Sequence, residues 1–101
     1  MAWHYEDHTV AISGGVGSFS TDHPWRGLLW HAVISPATQT TSYVCTMNDR
    51  KGDPIVIFTD TGDTFEALET PVLGTYTFDF TAVSADENIR VRTACKDTAN
   101  Y

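Results

Sequence analysis

Positive charge is what this chain has least of. Six Lys and Arg stand against thirteen Asp and Glu, for a formal net charge of -7. With no basic stripe, it has nothing to track a phosphate backbone, which excludes nucleic acid as a direct partner. The acids are scattered from Glu6 to Asp97 rather than bunched, the pattern of a solvated surface kept soluble by self-repulsion.

Long apolar runs are also missing. None approaches the roughly 18 residues that span a bilayer as a helix, so no membrane insertion is expected. The opening "MAWHYEDH" has neither the basic start nor the apolar stretch of a secretory leader, so export is not expected either. Cysteine is limited to Cys45 and Cys95, with no C-x-x-C pair. Two buried free thiols are the expected state, because a disulfide needs an oxidising compartment and structural zinc wants four ligands at closer spacings.

Catalytic signatures are absent in the same way. There is no G-x-S-x-G elbow, and the glycine-rich Ser13 to Ser18 is followed by no Lys-Ser/Thr that would make it a phosphate loop. His4 and His8 have an i, i+4 spacing, which would need a helix to place them together as metal ligands, and none is expected there. The carboxylates at Asp49 to Asp53 and Asp60 to Asp63 sit on loops, as calcium ligands do, but neither run follows the twelve-residue calcium loop with its closing Glu. The chain is therefore read as a non-enzyme without a cofactor.

What the chain does have is threonine, fifteen of them, and twelve aromatics, a composition that suits half-buried pleated surfaces better than helices. No helical apolar period persists, whereas period-two stretches recur at roughly 8–12-residue intervals with turn residues between them. The reading is one all-β domain over residues 1–101: an antiparallel, jelly-roll-like β-sandwich of about seven or eight strands.

Strands are expected around His8 to Ile12, Leu28 to Ser35, Ser42 to Asn48, Pro54 to Thr59, weakly over Phe65 to Leu68, and in the two halves of "TYTFDFTAVSADENIRVR". The loop Ser13 to Ser18 should be mobile unless something holds it. Leu28 to Ser35 is apolar on both parities, Trp30, Ala32 and Ile34 on one side and Leu29, His31 and Val33 on the other. Such a strand needs cover on both faces. By this parity Trp30 belongs to the core.

In the last long segment Tyr76, Phe78, Phe80 and Ala82 alternate on one face, and Ile89, Val91 and Cys95 do the same after "SADE". Parity favours a hairpin in which Phe80 lies opposite Val91 and Asp79 opposite Arg92. Asp86 and Glu87 are then turn residues, and Asp79, Arg90 and Arg92 share an outer face where a neighbour could bind. Trp25 and Arg26 in "DHPWRG" are the other contact candidates, with Trp25 either an exposed anchor or a cap on one end of the sandwich.

"PVLGTYTF" followed by "SADE" and a short final strand resembles the closing hairpin of small β-sandwich proteins in tailed-bacteriophage virions, of the head-decoration, fibre-base and tail-accessory types. The similarity extends loosely from Leu28 to Lys96. It implies a structural subunit present in many copies or as a homo-oligomer, bound to capsid or tail proteins and assembled in the host cytoplasm into the virion. The alternative is a carbohydrate- or receptor-binding module that uses Trp25.

Overall fold

The computed structural model describes residues 2–97. They form eight strands: β1 (Ala2–Ala11), β2 (Gly17–Ser20), β3 (Trp25–Pro36), β4 (Ser42–Asn48), β5 (Pro54–Thr61), β6 (Thr64–Gly74), β7 (Thr77–Thr81) and β8 (Asn88–Asp97). One antiparallel sheet has the order β1-β8-β3-β6 and the other β2-β7-β4-β5. This is the strand order of a jelly roll, in which the chain passes from sheet to sheet at every step except the β4–β5 hairpin.

Alternation decides which side chains meet in the middle. Tyr43, Cys45 and Met47 of β4, Phe78 and Phe80 of β7, and Ile89, Val91 and Cys95 of β8 are all buried. With Leu29, Ala32 and Ile34 of β3 they form one core between the sheets.

The expected hairpin of the last two strands does not form. Tyr76, Phe78, Phe80, Ile89, Val91 and Cys95 all face the core as expected, but β7 lies between β2 and β4, and β8 between β1 and β3. The two strands oppose each other across the sandwich instead of pairing edge to edge. Parity fixes the face a strand buries and leaves its partner open.

Three further expectations change. β3 carries a bulge between Leu29 and His31, which breaks the parity, so Leu29 joins Ala32 and Ile34 inside while Trp30 turns out of the core. β6 continues through Pro71 because it is an edge strand paired only to β3, where a missing amide costs no ladder bond. β1 begins at Ala2, well before His8.

"SADE" ties one end of the sandwich together. Asp86 accepts hydrogen bonds from the amides of Gly14 and Gly15, both 3.1 Å, so the glycine loop is held from within the chain. Both glycines have positive φ, which suits them to this tight turn. Glu87 accepts from the Thr38 amide at 2.8 Å and the Thr41 hydroxyl at 3.0 Å, fixing the β3–β4 loop. The backbone amide of Gly62 reaches the carbonyl of Thr41, which joins the β5–β6 turn to the same knot.

Candidate functional site

The outer faces of the two sheets differ in chemistry. On β2-β7-β4-β5 the outward residues of the first three strands include Ser18, Ser20, Thr77, Asp79, Thr81 and Thr46, small polar groups that water satisfies, while the edge strand β5 turns out Ile55 and Ile57 but no aromatic ring. On β1-β8-β3-β6, β1 turns out Trp3, Tyr5 and Asp7, and β8 turns out Arg90, Arg92, Ala94 and Lys96. β3 adds His31 and Val33 beyond its bulge, and β6 adds Phe65. Tyr5 is 73% exposed and Phe65 64%.

The register brings these residues into rows. Ala94 lies between Tyr5 and His31, and Arg92 lies between Asp7 and Val33, with Phe65 beyond Val33. Ala94 is small, so the larger side chains around it stand up as walls. The result is an open groove of about 310 Å³ lined by Trp3, Tyr5, His31, Val33, Phe65 and Arg92, with Thr93 and Ala94.

Ring contacts order this surface. Trp3 lies nearly parallel to Tyr5, with centroids 6.3 Å apart and planes 16° from parallel, and meets Trp30 edge-on at 6.1 Å. His31 meets Phe65 edge-on at 5.3 Å. The Lys96 ammonium sits 5.2 Å from the Trp30 ring and 5.9 Å from Trp3, a cation–π arrangement. The His31 Nε2 atom is buried and has no hydrogen-bond partner among the described residues.

The expected contact residues do not form one cluster. Asp79 lies on the opposite sheet from Arg90 and Arg92, where it accepts a 2.7 Å hydrogen bond from Asn48 Nδ2. The partner of Arg90 is Asp7, bound through both guanidinium contacts at 2.9 and 2.6 Å, and that bonding holds the Asp7 carboxyl below its ordinary range. Arg92 lies in the groove. Arg26 stands at the start of β3, 3.6 Å from Asp97.

Trp25 is the residue that changes most. It is 3% exposed, so it serves as core and cap rather than as an exposed anchor. Its indole donates a 2.7 Å hydrogen bond to Glu6, which also accepts from the Asp22 amide at 2.8 Å and lies 2.7 Å from His8 Nε2. Burial pushes the Glu6 carboxyl up, but the Asp22, His8 and Trp25 contacts outweigh it and leave the group below its ordinary value.

Glu6, His8 and Asp22 are also a group whose potential metal-ligand atoms lie within 4.8 Å of one another. A strand places alternate residues on one side, so His4, Glu6 and His8 share a face of β1 without a helix. Both oxygens of Glu6 already accept hydrogen bonds, and the His8 ring is stacked on Phe19 at 4.2 Å. The trio works as a polar buttress under β1. The two cysteines are buried and free, one on each sheet.

Apart from Arg92, the residues of the aromatic groove lay outside the expected sites. Its signal was in the sequence nonetheless: "WHYEDH" places Trp3 and Tyr5 on one parity and His4, Glu6 and His8 on the other.

These features define an all-β sandwich with one aromatic, cation-bearing sheet face. No family model and no curated protein matches the chain. Among solved structures, a crystal structure of FlhE superposes with a TM-score of 0.54 at 8% identity, covering 95% of this chain and 99% of that one. The likeness is one of fold.

Proposed function

We propose that this protein is a non-enzymatic binding subunit that docks through the outer face of β1-β8-β3-β6 onto a neighbouring protein, as a capsid-decoration or tail-accessory component of a virion. The observation that carries the docking reading is the contiguous exposure of Trp3, Tyr5 and Phe65 around one groove. Ordered apolar surface of this kind on a small domain marks an interaction site. The doubly apolar strand β3 fits the same reading, since its inner face is covered by the second sheet and its outer face lies open in the groove. The virion assignment comes from the sequence resemblance, and the jelly-roll order accords with it, although that architecture also serves lectin domains. A non-catalytic role is supported by the carboxylates: Glu6, Asp7, Asp49, Asp63, Asp86 and Glu87 each accept hydrogen bonds that hold the fold.

Quantitative mass spectrometry of purified particles tests the proposal. The chain should be present at the copy number of a capsid or tail subunit, and a Trp3→Ala/Tyr5→Ala/Phe65→Ala variant should fold but be missing from particles. Absence of the wild-type chain from particles would end the virion reading.

The near-parallel Trp3 and Tyr5 rings favour a second reading, a platform that stacks on a sugar. A glycan array distinguishes it, with binding lost on Tyr5→Ala.

A further inference from the structure

We infer that the groove between β1 and β6 recognises an acidic segment of a partner protein, in which a carboxylate stands beside an apolar or aromatic side chain, and that Arg92 receives the carboxylate. The inference rests on the reading of this face as a docking surface and names what docks.

Charge is the first observation. Leaving aside the Arg26–Asp97 pair at its end, the face carries Arg90, Arg92 and Lys96, half of the six basic residues in a chain of net charge -7. Its own outward acids on the four strands are Asp7 and Glu69. The face is therefore net positive on a strongly acidic molecule, which steers an anionic partner to it and away from the rest of the surface.

The second observation is which cation is available. Asp7 occupies Arg90, Lys96 lies over Trp3 and Trp30, and Arg26 lies against Asp97. Arg92 lines the groove; it lies opposite Asp7 and feels its charge, but both Asp7 oxygens are bonded to Arg90, and no hydrogen bond or ion pair holds the Arg92 guanidinium among the described residues. A guanidinium offers a planar fork that matches a carboxylate, and against an apolar wall such a pair is better shielded from water than on an open surface.

The third observation concerns the walls. Trp3, Tyr5, Val33 and Phe65 offer apolar area, and the polar side chains beside them are those of Arg92 and His31. A sugar ring carries hydroxyls around its edge and would leave most of them without partners here. An apolar side chain followed by one carboxylate matches both the walls and the cation. A second copy docked isologously would set this positive face against itself, with like charges opposed.

Solution NMR of the 15N-labelled chain tests this with two probes, N-acetylphenylalanine and N-acetylphenylalanine amide, which share the ring and differ in the carboxylate. The carboxylate form should shift the amides of Tyr5, Val33, Arg92 and Ala94 and bind about tenfold more tightly than the amide form, as a charge-assisted contact implies. Arg92→Gln should abolish the preference without changing the melting temperature, and Arg26→Gln should retain it. Equal binding of the two forms, or no shift at these amides up to the solubility limit, overturns the inference. So does binding of glucuronate with neither probe bound, which would assign the groove to acidic glycans. If the carboxylate preference fails but the Trp3/Tyr5/Phe65 variant is still lost from particles, docking stands and only the partner chemistry falls.

Discussion

The indole Nε1 of Trp25 donates a 2.7 Å hydrogen bond to the buried carboxylate of Glu6, tying the first residue of β3 to the inner face of β1. These strands are not neighbours, since β8 lies between them. The bond therefore ties together two strands that no ladder joins. Trp25→Phe keeps an aromatic ring but leaves a Glu6 oxygen without its donor, and should cost about 1–3 kcal/mol in urea unfolding. An unchanged midpoint would remove the tie from this account.

The same carboxylate gives the fold an acid limb. Glu6 lies below its ordinary value of 4.5 when folded, so its stabilising contribution is complete above that pH and is lost as the pH falls through the depressed folded value. Glu6→Gln should be less stable than wild type at neutral pH, with the gap narrowing in acid. Urea midpoints of the two proteins across this range provide the check, and a gap that widens in acid would reverse the sign.

Asp86 should govern the glycine loop. Asp86→Ala removes the acceptor of the Gly14 and Gly15 amides, and those two amides should then exchange with deuterium faster while core amides keep their protection. The global cost should be about 1 kcal/mol.

Phe78 and Phe65 make a contrasting pair. Phe78 is 0% exposed at the centre of the core, and Phe78→Ala should cost about 3–5 kcal/mol, enough to unfold a marginal domain at moderate temperature. Phe65, 64% exposed, should tolerate Ala within about 0.5 kcal/mol. Thermal unfolding of both variants separates a residue kept for packing from one available for contact.

The thiols should be inert while the protein is folded. Burial pushes Cys45 up to about 12, helped by Asp79, and burial also raises Cys95. A thiol-specific disulfide reagent at mildly alkaline pH should react with neither until denaturant is added. Rapid reaction of the native protein would show that the core opens.

Much of the fold was legible because alternation is a local property. Tyr43, Cys45 and Met47 announce a buried face within seven residues, and the polar turn at Asp49 to Asp53 announces the hairpin to β5. Pairing was not legible for β7 and β8, because their apolar faces match equally well side by side or across a core. Trp25 misled because "DHPWRG" has the composition of a loop, while the group that buries it, Glu6, lies 19 residues earlier. The groove escaped because its walls come from four strands whose order only the assembled sheet reveals. The bulge at Trp30 hid the remainder, since a one-residue irregularity reverses every parity inference beyond it.

The pairing of β1 with β8, from Ala2 opposite Asp97 to Ala11 opposite Asn88, sets a condition on synthesis. An emerging chain can close the β4–β5 hairpin early, but β1 has no ladder partner until nearly the whole domain has left the ribosome. Folding of the aromatic face is therefore late and slow, as long-range strand pairing dictates. Until then Trp3 and Tyr5 are free to meet other nascent chains, so the yield of native protein should fall when synthesis is crowded and recover when it is slowed.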